Sequence, residues 1–423
     1  MNRPPTGIAT ATGPDLPVSP WDAGAFRVGR LPTIEFGRGR VETLPERIVE
    51  IGRRVLLVTG RRSLEASGRL GRLLDRLAEL GAEVERVVVE GEPTPDLVDG
   101  TVARFRSAGI EVVVGIGGGS ALDAAKAIAG LLRTGTSILD HLEGVGRGVP
   151  YSGPTVPFVA VPTTAGTGSE ATRNAVITRP GPDGFKRSFR DERLVAQLAV
   201  IDPDLLLGLA PETIAGNGMD TCTQLIEAYV STGAGAFTDG LALAGLEAAR
   251  DGLLPWHAAV ATGDRAPAET APFRERMAFA ALASGICLAQ AGLGAVHGIV
   301  APLGALTGVG HGTGCGILLP ETTRTNLRAL AERAPQAPAL GRYARIARLL
   351  LDEPTLDDTA ALAALPDLLA DWAKRLGLPR LRDIGLREAD TDWVVERSRG
   401  SSMRTNPIVL TDAEIAGILR AAW

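Results

Sequence analysis

The hydrophobic pattern changes once along the chain, and this change predicts two structural units. Between residues 54 and 203, short apolar runs rich in Val and Ile alternate with amphipathic segments. The runs predicted to be strands are 54–59, 83–90, 111–117, 155–162 and 197–203, and the segments predicted to be helices are 64–80 and 95–109. This alternation predicts an α/β domain with a parallel Rossmann-like sheet that binds ligands at the carboxyl ends of its strands.

The remainder of the chain predicts an all-α domain. After Pro211, long segments rich in Ala and Leu run to Trp423 with few β-branched clusters. We therefore expect a flexible tail at 1–26, an α/β domain at 27–208 and a helical domain at 209–423, and the motifs described below assign nucleotide binding to the first domain and metal and substrate binding to the second. A cleft between two such domains is a common place for an active site.

One uncharged stretch has the length of a membrane helix. From Ala278 to Gly310 there is no Lys, Arg, Asp or Glu, whereas a membrane helix needs roughly 20 apolar residues. The stretch is dominated by Ala and Gly and contains Gln290, His297 and Pro302. A buried helix pair is the better interpretation, and we expect no membrane association.

Composition narrows the class of protein. With 423 residues, 45% of them hydrophobic and 22% charged, the chain is globular and large enough for two domains. Its net charge of −5 gives no positive field that would gather nucleic acid, so we expect no nucleic-acid partner. The cysteines, Cys222, Cys287 and Cys315, have no CxxC spacing and are too few for a disulfide framework, which predicts a cytoplasmic location.

A glycine-rich turn after the strand at 111–117 predicts a phosphate site. The sequence GIGGGSALDAAKAIA places consecutive glycines before a helix, in which Ser120 and Asp123 have the spacing of a capping box. Glycines let backbone N–H groups approach a phosphate, and a helix N-terminus favours negative charge. Because Ser120 occupies the third glycine position of the GxGxxG fingerprint, a turn that binds nothing is the alternative.

A second loop of small residues follows the next strand. In PTTAGTGSEATRNAVIT, at 162–178, the hydroxyls of Thr163, Thr164, Thr167 and Ser169 suit hydrogen bonds to a ribose, a carboxamide or phosphate oxygens. Two such loops in one α/β domain favour a nucleotide.

Polar groups in the helical domain suit a divalent metal. Asp220 and Gln224 lie four residues apart after a Gly-Asn-Gly break, hence on one helical face, and the apolar run beyond contains His297 and His311. Burying an imidazole without a partner costs about 1–3 kcal/mol. One carboxylate and two imidazoles suit Fe²⁺ or Zn²⁺, and core histidines bonded to carbonyl groups are the alternative.

Taken together, five motifs resemble the iron-containing (group III) alcohol dehydrogenase family. They are GGGSALDAAKAIA, PTTAGTGSEATRNAVIT, GMDTCTQLIEAYVS, HGIVAPLGALTGVGHGTGCGILLP and SSMRTNPIVLTDAEIAGILRAAW. The resemblance extends from about residue 35 to the C-terminus. It implies the dehydroquinate synthase-like fold of this family, NAD or NADP in the cleft, a divalent metal, a small alcohol or aldehyde as substrate, and a homodimer.

The resemblance also implies roles for individual residues. Those expected to bind the cofactor are Gly60, Gly117, Gly118, Gly119, Ser120, Asp123, Thr163, Thr164, Thr167 and Lys186, with the pyrophosphate at 118–120 and Lys186 near the nicotinamide ribose. Asp220, His297 and His311 are expected to be the catalytic residues and to bind the metal, with Gln224 as a further ligand.

The sequence departs from the family pattern at two positions near the expected metal. Gln224 stands where the family has a histidine, which replaces an imidazole nitrogen with a neutral carbonyl oxygen. Ala301 stands where many members keep a histidine, which removes a titratable group that could relay the alcohol proton. The metal motif is therefore a variant.

The choice between NAD and NADP depends on the residues that follow the predicted strand at 54–59. Many relatives have an Asp where Gly60 stands, and that carboxylate would repel a 2′-phosphate. Arg61 and Arg62 could pair with such a phosphate or remain solvated. The sequence favours NADP, and NAD stays open.

These features predict an NAD(P)-dependent oxidoreductase that interconverts an alcohol and an aldehyde or ketone, with a metal polarising the substrate oxygen. One alternative is a reductase of oxo acids, like maleylacetate reductase or a biosynthetic enzyme, with little dependence on metal. A second alternative is a cofactor-binding protein without turnover.

Overall fold

The computed structural model describes residues 26–61, 63–181, 184–263 and 266–423. The tail predicted at 1–26 therefore lies outside the described residues, apart from the exposed Phe26. The described chain forms an N-terminal α/β part followed by helices, as the pattern predicts.

Six strands of the described chain form one parallel sheet, in the order β1-β8-β5-β4-β2-β3. The strands are β1 Thr33–Phe36, β2 Arg54–Gly60, β3 Glu83–Val89, β4 Val112–Gly117, β5 Phe158–Pro162, β6 Asn174–Arg179, β7 Phe185–Arg190 and β8 Leu198–Ile201. The five predicted strands are β2, β3, β4, β5 and β8. The central strand β4 is buried at every position, as expected for a parallel strand covered on both faces.

Three strands were not predicted from the pattern. β1 has only four residues and lies at the edge of the sheet, and β6 and β7 form a separate antiparallel pair. β7 has the sequence FKRSFR, in which three of the six residues are charged, so no apolar run marks it as a strand. This pair becomes important below because it forms one wall of the main cavity.

Helices cover both faces of the sheet. In this part of the chain they are α1 Leu44–Ile51, α2 Ser63–Ala66, α3 Arg69–Glu79, α4 Pro95–Phe105 and α5 Gly119–Leu131. The single helix expected at 64–80 is divided in two, because Gly68 adopts a left-handed conformation with φ of 67°.

The C-terminal part of the described chain is helical. Its helices are α6 Pro211–Val230, α7 Ala236–Thr262, α8 Ala271–Ala291, α9 Ala295–Thr307, α10 His311–Arg333, α11 Pro338–Leu351, α12 Asp358–Arg375, α13 Thr391–Arg397 and α14 Asp412–Ala421. The expected Gly-Asn-Gly break is absent, because α6 continues through these residues. A Cβ at Gly218 would lie 2.1 Å from Leu253 Cδ1, so the glycine serves close packing of α6 against α7.

The uncharged stretch forms α8 and α9. Among the described residues, no single helix is long and apolar enough to cross a membrane; α8 and α9 together meet that test by length and composition only, and they are bent by 103° at the break between them.

The loop after β5 packs directly on the helical part. The Thr221 hydroxyl of α6 donates to the carbonyl oxygens of Ala165 and Gly166, at 3.3 and 3.1 Å. Gly168 of the loop lies against Gly285 of α8 so closely that a Cβ at Gly285 would lie 2.2 Å from the Gly168 oxygen. The domain boundary placed at 208/209 stays a prediction, and it lies two residues before α6 begins.

Candidate active site

A cavity of about 1140 Å³ lies between the carboxyl ends of the sheet strands and the helical part. Most of the residues predicted for the site line it: Gly60, Gly118, Gly119, Ser120, Asp123, Thr164, Thr167, Lys186, Asp220, Gln224, His297 and His311. Gly117 and Thr163 lie at the ends of adjacent strands and do not line it; the Thr163 amide donates to the Gly117 carbonyl oxygen at 2.9 Å. The cavity therefore brings the two predicted loops and the predicted metal ligands together.

The glycine turn is packed too tightly for side chains. A Cβ at Gly119 would lie 2.7 Å from Thr167 Cγ2, and a Cβ at Gly117 would lie 2.6 Å from the Cβ of Ala121. Gly118 is the N-cap of α5, and no side chain caps the helix. The first N–H groups of α5 are thus left for an anion in the cavity.

The predicted capping box at Ser120 and Asp123 is wrong. Ser120 lies inside α5, and Asp123 instead accepts hydrogen bonds from the Ser169 hydroxyl at 2.5 Å and from the Val176 amide at 3.0 Å. These contacts place Asp123 between the glycine turn and the second loop. Its role is to hold the two loops together.

Lys126 supports the second loop from inside the protein. Its fully buried ammonium donates to Ser169, Thr172 and Asn174 at distances of 2.7 to 3.1 Å. Burial lowers the pKa of Lys126 to about 8, although the negative charges of Asp123 and Glu170 act to raise it. The loop thus rests on a buried cation.

Of the residues considered for cofactor choice, Gly60 lines the cavity. Gly60 ends β2, and a Cβ built on it meets nothing within 4 Å. Arg61 forms an exposed ion pair with Glu90 at 3.5 Å, and Arg62 lies outside the described residues. Lys186, on β7, pairs with Glu92. The preference for NADP therefore stays a prediction.

Three helices bring the predicted metal ligands together. Asp220 Oδ1 lies 3.4 Å from His297 Nε2 and 3.7 Å from His311 Nε2. Glycines allow this approach: a Cβ at Gly312 would lie 2.2 Å from the Gly216 oxygen, so the start of α10 rests on α6. Asp220 is 1% exposed, and its Oδ1 has no hydrogen-bond partner.

Cys315 joins this cluster, which the sequence reasoning missed. Its Sγ lies 3.9 Å from the Nε2 atoms of both His297 and His311, and the four donor atoms all lie within 4.8 Å of one another. Cys315 follows His311 by four residues, so it lies one turn along α10 on the same face. This four-residue spacing from His311 is the sequence signal that could have identified Cys315 as a further ligand.

Glu227 holds His297 in place and was also missed. The His297 Nδ1 donates to Glu227 Oε2 at 2.6 Å, and the carboxylate accepts from the amides of Gly294 and Val296 as well. A carboxylate behind a metal-binding imidazole fixes the orientation of the ring and raises its basicity. Here it leaves Nε2 to face Asp220.

Two of the four side chains have the ionisation that a metal ligand needs, and two must release a proton to the solvent when a metal binds. Burial opposes protonation of His297, but Cys315, Glu227 and Asp220 outweigh it and raise the pKa of this imidazole well above its usual value. Burial lowers the pKa of His311 to about 4, so its ring is neutral near pH 7 and has a free lone pair. Burial opposes ionisation of Asp220, but the neighbouring His311 and His297 outweigh it and lower the pKa. Burial raises the pKa of the Cys315 thiol to about 12, so the thiol keeps its proton until a cation displaces it.

Gln224 lies in the cavity beside Asp220, but its carbonyl oxygen points elsewhere. Its Oε1 accepts a hydrogen bond from the Ser284 hydroxyl at 2.7 Å. The Gln224 amide contributes to lowering the pKa of the Asp220 carboxyl, which requires its N–H side to face the carboxylate.

The donor set fits a divalent metal. Donor atoms around a tetrahedral Zn²⁺ lie roughly 3.3–3.6 Å apart, given metal–ligand bonds of about 2.0–2.3 Å. The shorter separations here, 3.4 to 3.9 Å, need only small shifts to reach those values. The buried Asp220 oxygen without a partner is the atom that a cation would satisfy.

Comparison with known proteins agrees with this architecture. The family model for iron-containing alcohol dehydrogenase matches residues 32–203, and the model for the C-terminal part of the same family matches 214–423. The chain belongs to the iron-containing alcohol dehydrogenase family. Its fold is accordingly the α/β and all-α arrangement of this family, and it is an oxidoreductase acting on CH–OH groups.

Individual members of the family cover almost the whole chain. The 1,3-propanediol dehydrogenase of Klebsiella pneumoniae is 34% identical over 92% of this chain and 96% of its own length. The NAD-dependent methanol dehydrogenase of Bacillus methanolicus is 32% identical over 92% and 98%. The crystal structure of a 1,3-propanediol oxidoreductase superposes with a TM-score of 0.83 and 30% identity, covering 94% of this chain and 100% of that one.

Proposed function

We propose that this chain transfers a hydride between a nicotinamide cofactor and a small alcohol, aldehyde or ketone bound in the cavity. The observation that carries the proposal is the convergence of Asp220, His297 and His311 in the same cavity as the 118–120 turn. Family membership favours an enzyme over the alternative of a cofactor-binding protein without turnover.

The cofactor would lie along the carboxyl ends of β2 and β4. Backbone N–H groups at 118–120 would bind the pyrophosphate at the N-terminus of α5. The hydroxyls of Thr164 and Thr167 face the same cavity, and Lys186 would reach the nicotinamide ribose. The relative from Bacillus methanolicus is NAD-dependent, and we propose that this chain uses NAD or NADP.

The metal would be held by Asp220, His297, His311 and, as a fourth donor, Cys315. Gln224 would act as a positioning residue, because its carbonyl oxygen accepts from Ser284 and its amide N–H side faces Asp220. Fe²⁺ and Zn²⁺ both accept such a set, and the thiol favours Zn²⁺. When bound, the ion supplies Lewis acidity toward the substrate oxygen, and the cofactor supplies the hydride.

The side chains around the cluster orient the metal ligands and restrict the path of the alcohol proton. Glu227 keeps the proton of His297 on Nδ1, so that Nε2 faces the cavity. Ala301 offers no titratable group, so the alcohol proton leaves through water or the ribose hydroxyls. The buried walls formed by α6, α9 and α10 lower the local dielectric around the cluster.

The test is a crystal structure with bound cofactor and anomalous scattering measured at the iron and zinc edges, together with turnover before and after chelation. We expect one metal per chain between Asp220, His297 and His311, and loss of aldehyde reduction when it is removed. Full activity of the metal-free protein would instead support the reductase of oxo acids with little dependence on metal. Rates with NADH and NADPH decide the cofactor.

Two further expectations belong to this proposal. The three cysteines are free and buried, which fits a reducing compartment, so we propose a cytoplasmic location that cell fractionation would check. The homodimer implied by the resemblance is tested by the mass from light scattering of the purified protein.

A further inference from the structure

One wall of the cavity is strongly basic. It is formed by β7 and by a segment at 397–404 that follows α13. The basic side chains that line the cavity are Lys186, Arg187, Arg190, Arg397, Arg399 and Arg404.

Most of these cations have an acidic partner. Lys186 pairs with Glu92, and Arg190 lies 3.5 Å from Glu143. The remaining pairs are Arg397 with Glu396 and Arg399 with Asp412, at 3.1 and 2.5 Å.

Arg187 and Arg404 differ from the others. Within the ranges that the structure describes, neither guanidinium has an ion pair or a hydrogen-bond partner, and Arg187 is only partly exposed. Arg404 is exposed to solvent and Arg187 partly so, and both guanidinium groups are therefore free to bind an anion that enters the cavity.

The segment that carries Arg404 packs beside the helix that carries His297. The 397–404 segment packs on α9, and a Cβ at Gly298 would lie 2.8 Å from Met403 Cε. Gly298 follows His297 directly. Arg187 reaches the same segment from the other side, with its Nη1 3.9 Å from a Cβ built on Gly400.

The electrostatic environment of this wall favours an anion. Burial lowers the pKa of Arg190, and the positive charges of Arg173 and Arg404 lower it further, while Glu143 opposes the shift. The hydroxyls of Ser401 and Ser402 line the same part of the cavity. Positive charge is therefore in excess here, and hydroxyl donors lie beside it.

We propose that Arg187 and Arg404 bind an oxyanion on the substrate, so that the substrate is a short aldehyde or ketone with a carboxylate, sulfonate or phosphonate group at its far end. The guanidinium group binds such oxyanions through two parallel N–H donors, which fixes the orientation of the substrate as well as its charge. Ala301, a small residue of α9 that also lines the cavity, leaves room beside the cluster. This inference rests on the proposed function.

The test compares aldehydes that differ only in the anionic group. Succinic semialdehyde is paired with butanal, and sulfoacetaldehyde with propanal, and kcat/KM is measured for each. We expect the anionic member of each pair to be preferred by about tenfold or more, and Arg187→Met or Arg404→Met to lower that preference by about tenfold to hundredfold. Arg187→Lys should restore part of it.

The matched control is Arg375→Met. Arg375 lies on α12, is more than half exposed and pairs with Asp371, so its loss should leave the preference unchanged. Thermal unfolding of each variant checks that it is folded.

Two results would overturn the inference. One is a preference of the unmodified enzyme for the neutral aldehydes. The other is that both arginine variants weaken NAD(P)H binding in fluorescence titration and leave the ratio between paired substrates unchanged, since the arginines would then bind cofactor phosphate.

Failure of the proposed function has a different signature. Ethanesulfonate cannot be reduced, so its protection of the protein against thermal unfolding reports anion binding without turnover. Protection that is lost in Arg187→Met, in a protein that reduces no aldehyde, would retain the anion site and reject the reaction. No protection and no preference would reject the site itself.

Discussion

Replacement of Cys315 by alanine tests whether sulfur completes the metal site. The Sγ lies 3.9 Å from both imidazole Nε2 atoms, and in the metal-free protein burial raises the pKa of the thiol to about 12. A thiol must lose its proton to bind a metal, so each proton released makes the affinity rise about tenfold per pH unit. The metal affinity of the unmodified protein should therefore depend on pH more steeply than that of Cys315→Ala, by one proton.

The assay uses Co²⁺, which reports its ligands through its absorption spectrum. We expect a thiolate-to-cobalt charge-transfer band in the near ultraviolet for the unmodified protein and its loss in Cys315→Ala. Affinity is measured by competition with a chelator across the neutral pH range. Cys287→Ala is the matched control, because its buried Sγ donates to the Thr238 carbonyl oxygen and does not line the cavity.

The substitution Gln224→His distinguishes the Cys315 sulfur from the Gln224 oxygen as the fourth metal ligand. In a Cys315→Ala background, the new imidazole should restore metal affinity without the charge-transfer band. If the unmodified protein lacks the band, and Cys315→Ala keeps both the affinity and the pH slope, then sulfur does not bind the metal and the oxygen of Gln224 is the remaining donor.

Three other changes test the supports of the site. Glu227→Gln should weaken metal binding by about 10- to 100-fold, measured by chelator competition, because the carboxylate orients a ligand from behind; unchanged affinity would contradict that role. Gly119→Val should weaken NAD(P)H binding in fluorescence titration, because its side chain would collide with Thr167, whereas Gly71→Ala, with nothing within 4 Å, should raise stability by roughly 0.5–1 kcal/mol and leave binding intact. The depressed pKa of Lys126 means that the unfolded chain binds more protons between about pH 8 and 10.5, so the free energy of unfolding should rise with pH in that window, and urea titrations of Lys126→Met should lack this rise.

The sequence was sufficient to predict strands that are buried on both faces and helices that have one buried face. The apolar runs of β2, β4 and β5 are buried on both faces, as their continuous hydrophobic sequences predict. In α3 and α4, the helical spacing of the apolar residues follows from their one buried face. β7 could not be recognised, because its charged side chains face a cavity that exists only once the helical part has folded against the sheet.

The site was predictable as a set of residues but not as a geometry. Asp220, His297 and His311 stood out because polar groups in apolar segments need partners. The place of Cys315 depends on the packing of α10 on α6, which is decided by backbone contacts at Gly312 and Gly216. The four-residue spacing places Cys315 beside His311 on one face of α10, but it carries no information about these contacts between helices.

The contact between Gly168 and Gly285 has a consequence for how this enzyme can diverge. It joins the loop of the nucleotide half to α8 through main-chain atoms with no intervening side chain, and the Thr221 hydroxyl ties the same loop to the helix that carries Asp220. Single substitutions can therefore change little in the distance between the proposed cofactor site and the proposed metal site. We expect evolutionary change of substrate to be concentrated in the basic wall formed by β7 and the 397–404 segment, where side chains rather than backbone decide the shape.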